Sequence, residues 1–121
     1  MMKKALSDPP LCTMNLLAMN DTLDILGGKW KLLILHYLIS REGITNTFKK
    51  IERDIDGISA KMLSKELKDL ETNKMVQREV QNTKPVTVAY SITNYGKTTK
   101  EIIDVLVDWG KSHRMKMIDK G

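Results

Sequence analysis

The chain has 121 residues, 41% of them apolar and 29% charged, a balance that suits one globular domain and excludes a disordered chain. Twenty Lys and Arg against fifteen Asp and Glu leave a net charge of +5, which favours a polyanionic partner without naming one. A single cysteine, Cys12, rules out an intramolecular disulfide framework.

A reducing, cytoplasmic home is therefore expected. Asp8-Pro9-Pro10 stand where a signal peptide needs an apolar run, and the most apolar stretch, 32–39, is far too short to span a bilayer, so no membrane partner is expected.

Residues 1–11 read as a flexible N-terminal arm ahead of one domain over 12–121. Leu16, Leu17, Leu23 and Leu26 predict a helix over 13–26 that Gly27-Gly28 ends. The next helix, 29–40, is apolar almost all round, which predicts a central core helix with His36 packed inside it. After the turn Arg41-Glu42-Gly43, Phe48, Ile51 and Ile55 space a short amphipathic helix over 47–55. Gly57 suits a left-handed helix stop, and Ser59 is a good N-cap for a helix over 60–73 with Leu63, Leu67 and Leu70 as its buried stripe. Two helices joined by a turn of about four residues have the spacing of a helix-turn-helix, here 47–73.

From Met75 the period becomes two. Val76, Arg78 and Val80 alternate with polar residues, as do Val86, Val88, Tyr90 and Ile92 across the loop 81–85. This predicts an antiparallel hairpin over 75–93, followed by a long helix over 94–118. The fold class expected is mainly α with a small β-hairpin: a winged helix-turn-helix, with the second helix of the pair in the major groove and the hairpin loop on flanking backbone.

On the 60–73 helix, Lys61, Ser64, Lys65 and Lys68 share the face opposite the leucines, and the acids Glu66, Asp69 and Glu71 are expected on the flanks. Ammonium and hydroxyl groups bond phosphate oxygens, and Lys also reaches guanine O6 or N7. With Ser59 at the helix start, these are the candidate contacts to double-stranded DNA. Thr47 and Lys49, beside Lys50, join them from the first helix of the pair, and Arg78, Asn82 and Lys84 from the hairpin.

In the last helix Tyr95, Thr99, Ile102, Leu106, Trp109 and His113 recur at alternating spacings of four and three, and Ile103, Val105 and Val107 widen the apolar arc. One domain cannot cover that arc, so Leu16, Ile102, Leu106, Trp109 and His113 are the candidate contacts of a homodimer built from the N- and C-terminal helices. Such a dimer offers two recognition helices about 34 Å apart to a pseudo-palindromic site.

Cys12 is followed by Leu23-Asp24-Ile25-Leu26-Gly27-Gly28-Lys29-Trp30-Lys31-Leu32-Leu33-Ile34-Leu35. Further along come Gly57-Ile58-Ser59-Ala60-Lys61-Met62-Leu63-Ser64 and Leu67-Lys68-Asp69-Leu70-Glu71, then Pro85, Tyr90-Ser91-Ile92-Thr93, Gly96 and Trp109-Gly110. In that order they resemble the HxlR-type transcriptional regulators over residues 12–113. The resemblance implies a bacterial winged-helix dimer that represses or activates promoters, with Cys12 as a redox or electrophile sensor. Three positions depart from that pattern. Thr13 follows Cys12 where Pro is usual, Thr47-Phe48 replaces Arg-Phe, and Ala89 replaces an acid before Tyr90.

Independently of that resemblance, a cysteine just before a helix start favours its thiolate, the form open to oxidation, alkylation or mixed-disulfide formation. An oxidant or small-molecule effector is therefore a second expected partner. Catalysis is not expected. His36 and His113 lack metal-ligand spacing with Cys12, no Ser/His/Asp set or phosphate-binding glycine loop occurs, and no cofactor is implied. The alternatives to a DNA-binding regulator are a winged-helix module for another protein, which predicts an apolar patch on the Lys61 face, and a regulator gated by a ligand between the core and terminal helices.

Overall fold

The computed structural model describes residues 10–119, with side chains from Thr13 onward. In chain order they form α1 (Pro10–Leu26), α2 (Lys31–Ser40), β1 (Asn46–Thr47), α3 (Phe48–Asp54), α4 (Ala60–Thr72), β2 (Val76–Gln81), β3 (Thr87–Ile92), a 3₁₀ turn (Gly96–Thr99) and α5 (Lys100–Ile118). The arm expected over 1–11 falls largely outside the described residues, but Pro10 and Leu11 already belong to α1. Proline fits there because its missing N–H has no partner in a first turn.

The core lies where α2, α3 and α4 meet the sheet. Ile34, Leu35 and Leu38 of α2 close on Ile51 of α3 and on Leu63, Leu67 and Leu70 of α4, with Val76, Ile92 and Ile103 sealing the other side. Burying seven such side chains completely is the main stabilising term of a domain this small. His36 is not among them: it and Leu33 are exposed, a correction to the fully enclosed helix expected. The apolar circumference of α2 is only partly covered by the described residues.

The hairpin is part of a three-stranded antiparallel sheet in the order β1-β3-β2. Asn46 and Thr47 pair with Tyr90 and Ala89, so the strand leading into the helix-turn-helix is hydrogen-bonded to the wing. Asn46 is buried with its amide satisfied. Its Oδ1 accepts from Arg41 Nε at 2.9 Å and its Nδ2 donates to the Ile44 carbonyl at 3.0 Å. Two residues are too few for a period-two signal, which is why the sequence predicts only a hairpin.

Two joints fix the wing. At the end of α4, Lys74 N–H donates to the Glu71 carbonyl and Met75 N–H to the Leu70 carbonyl, both at 2.9 Å, while Lys74 holds a φ of 65°. This double closure is a Schellman motif, with lysine at the left-handed position that glycine normally takes. At the other joint, Thr93 Oγ1 donates to the Lys74 carbonyl at 2.7 Å and accepts from Gly96 N–H at 2.9 Å. A Cβ on Gly96 would lie 2.2 Å from the Met75 carbonyl oxygen, so only glycine lets the 3₁₀ turn pass this close to β2.

Replacing Lys74 by glycine removes the left-handed penalty and leaves the motif's backbone bonds intact. Lys74→Gly is expected to stabilise the fold by about 1 kcal/mol, read as a higher midpoint in chemical denaturation with an unchanged slope.

Candidate nucleic-acid interface

α4 is delivered to the surface by local chemistry. Gly57, with a φ of 85°, reverses the chain after α3. Ser59 then adopts an extended conformation and its side chain accepts from Met62 N–H at 3.0 Å. Thr47 does the same for α3, accepting from Lys50 N–H at 3.2 Å. Both hydroxyls proposed from sequence as phosphate ligands are thus helix caps first, worth about 1 kcal/mol each.

Lys61, Ser64, Lys65 and Lys68 are all exposed on the side of α4 away from Leu63, Leu67 and Leu70. Lys61 and Lys68 make no ion pair among the described residues, whereas Lys65 Nζ lies 3.2 Å from Asp69 Oδ2. Beside this helix a groove of about 550 Å³ runs between α3, α4 and the wing. It gathers Thr47, Lys49, Ser64 and Arg78, with Phe48 and Tyr90 among its apolar walls. Asn82 and Lys84 sit apart from it, exposed in the loop between β2 and β3. The arrangement offers cations and a hydroxyl in a concavity bounded by a helix and a hairpin, suited to a phosphate backbone and an adjoining groove.

One element of the site departs from the sequence reading. Glu66 is not on the flank of α4 but buried, 6% exposed, and it accepts from Lys31 Nζ of α2 at 2.5 Å. Lys31 is itself only 9% exposed. Burial alone would lower the Lys31 pKa, but hydrogen bonds and charge from Glu66, and secondarily from Asp69, carry it above its ordinary value. The signal was present: Glu66 stands three residues after Leu63 and four before Leu70, on the buried side. Elsewhere Tyr37 Oη donates to Asp54 Oδ2 at 2.7 Å and pins α2 to the end of α3. Burial first, then that bond, raises the phenol to about 12.

The second candidate surface is apolar. Of the 19 residues of α5 only Ile103 is buried, and of the described part of α1 only Leu26. Leu16, Ile102, Leu106, Trp109 and His113 are all exposed, with Trp109 at 67% stacked on His113 at 5.1 Å between ring centroids. A mostly apolar groove of about 710 Å³ runs between α1, α2 and α5, floored by Leu26 and Leu32. Cys12 falls in the first turn of α1, slightly inside the helix rather than before it, and its side chain lies outside the described residues. Among the described residues no group of three His, Cys, Asp or Glu side chains could hold a metal, and no helix is long and apolar enough to cross a membrane.

A helix-turn-helix flanked by a hairpin that hydrogen-bonds back to it defines a winged helix-turn-helix protein of the transcription-regulator class. More narrowly, the HxlR-like helix-turn-helix family matches residues 25–118, and the chain belongs to that family. It is 38% identical to the HTH-type transcriptional regulator YdeP of Bacillus subtilis over 82% of this chain and 74% of that one. It is 37% identical to an HTH-type regulator of Methanothermobacter thermautotrophicus over 88% and 75%. Among solved structures it resembles the redox regulator HypR in its oxidised form, with a TM-score of 0.71 and 34% identity over 78% of this chain and 95% of that one. It also resembles the reduced form of the regulator YodB from B. subtilis, with a TM-score of 0.65 and 35% identity over 76% and 87%. These relatives are transcriptional regulators rather than enzymes, and this chain is a transcriptional regulator with a DNA-binding fold.

Removing one partner of the buried Lys31–Glu66 pair leaves the other charge uncompensated. Lys31→Met is expected to cost about 3 kcal/mol of stability, while Lys31→Met with Glu66→Leu recovers most of it. Thermal unfolding of the two variants checks the contrast.

Proposed function

We propose that the chain binds double-stranded DNA site-specifically as a homodimer and regulates transcription from a pseudo-palindromic operator. The observation that carries this reading is the acid-free outer row of Lys61, Ser64 and Lys68 on α4, set beside a groove that collects Lys49 and Arg78. α4 enters the major groove, and Asn82 and Lys84 of the wing loop meet the flanking backbone. Met62 is the one large apolar side chain exposed on α4, too little for the patch that a protein-binding module needs there.

Support for the dimer comes from the uncovered apolar rows of α1 and α5: a second copy packed on Leu16, Ile102, Leu106 and Trp109 would take them out of water, and a two-fold axis there would present two α4 helices to successive turns of the duplex.

Selection of bound duplexes from a random pool tests both parts. A two-half-site palindrome is expected, and failure to enrich any sequence favours the protein-binding alternative. On the selected duplex, Lys61→Ala is expected to cost about 1–3 kcal/mol with relaxed preference at one base pair if it reads a base. A phosphate contact instead weakens all sequences alike and flattens the salt dependence. Leu106→Glu is expected to sediment as a monomer and to bind the palindrome far more weakly.

Cys12 is proposed as the oxidant- or electrophile-sensing residue. Support comes from its place in the first turn of α1, where unpaired N–H groups favour thiolate, and from the likeness to a regulator solved in oxidised and reduced forms. Peroxide or quinone treatment is expected to release DNA from the wild-type protein and not from Cys12→Ser. Equal release from both proteins excludes Cys12 as the sensor.

A further inference from the structure

Asp69 stands between two cations. Its Oδ2 lies 3.4 Å from Lys31 Nζ, which the core holds in place, and 3.2 Å from Lys65 Nζ, which belongs to the outer face of α4. The side chains differ in freedom: that of Lys31 is 11% exposed and that of Lys65 64% exposed. Of the three lysines on that face only Lys65 has an acid partner among the described residues, and the Asp69 carboxyl is held below its usual range chiefly by that hydrogen bond.

We infer that Asp69 is a specificity-determining positioning residue: it withholds Lys65 from non-specific DNA and yields it only where an operator offers the ammonium a better acceptor. The inference rests on the reading of α4 as the DNA-contacting helix.

The physical balance favours this exchange. An exposed lysine–aspartate pair is weak, so an acceptor placed within reach by a correctly docked helix displaces Asp69 at little cost. A loosely bound, poorly registered duplex offers no such acceptor, and Lys65 stays on its own helix. When Lys65 leaves, Asp69 keeps Lys31 Nζ 3.4 Å away on the core side, an ammonium it shares with Glu66. Specificity is a difference between two affinities, and this pair lowers the non-specific one.

The test measures binding of a random-sequence duplex and of the selected palindrome across a salt series, for the wild type, Asp69→Asn, Asp69→Glu, Lys65→Ala and Asp69→Asn with Lys65→Ala. Asp69→Asn is expected to bind the random duplex about two- to five-fold more tightly per recognition helix, the range of a released surface ion pair. The slope of its logarithmic salt dependence there is expected to steepen by about 0.9 per helix, for one added phosphate contact. On the palindrome the slope stays that of the wild type. Asp69→Glu, which keeps the charge one methylene further out, restores wild-type behaviour.

The gain is expected to vanish in the Lys65→Ala background, which separates release of Lys65 from simple repulsion between Asp69 and DNA. A gain that persists without Lys65 overturns the inference in favour of repulsion. No gain from Asp69→Asn, with Lys65→Ala still weakening the palindrome, overturns the withholding role and leaves the α4 reading intact. No effect of Lys65→Ala on either duplex removes Lys65 from the interface and the inference with it. Unfolding midpoints of all variants within a degree or so of one another keep a folding defect out of the comparison.

Discussion

The orientation of α4 depends on a charge that the core would otherwise reject. An ammonium from α2 and a carboxylate from α4 are tolerable there only because they meet. Leucines 63, 67 and 70 hold the helix down, but an apolar stripe accepts small rotations about the helix axis and a hydrogen-bonded ion pair does not. The Lys31–Glu66 contact therefore selects which residues of α4 face outward. It also places the single buried acid of that helix far from the side where a polyanion would sit.

From that fixed helix the rest of the interface is built by backbone closure. Ser59 starts α4, the bonds to Leu70 and Glu71 end it, and Thr93 ties the return of β3 to the same point. Because β1 pairs with β3, the wing is fastened to both ends of the helix-turn-helix. The groove holding Lys49, Ser64 and Arg78 is consequently bounded by elements joined through strand pairing and helix packing.

Much of this was legible in the sequence, for identifiable reasons. α4 is a surface helix with one uninterrupted stripe, so its limits, its cap and its outer row follow from the 3.6-residue period. The wing strands follow from the two-residue period of Val76 to Val80 and Val86 to Ile92. β1 had no period to read, and its pairing is a long-range event. The place of Glu66 on the buried side of α4 was readable, but its pairing with Lys31 was not, because only the packing of α2 on α4 makes them partners. His36 was misplaced for the converse reason. A helix apolar all round implies enclosure, but one side of α2 stays open, and His36 and Leu33 line the groove there.

β2 is an edge strand, paired with β3 on one side only. Its free edge has unspent backbone donors and acceptors over six residues, the geometry from which neighbouring molecules stack into ordered aggregates. Arg78 and Glu79, exposed in the middle of that strand, are the charged side chains that blunt such an edge. Arg78 thus lies at once on the groove beside α4 and on the open edge of the sheet, so a substitution there alters the charge of both surfaces together.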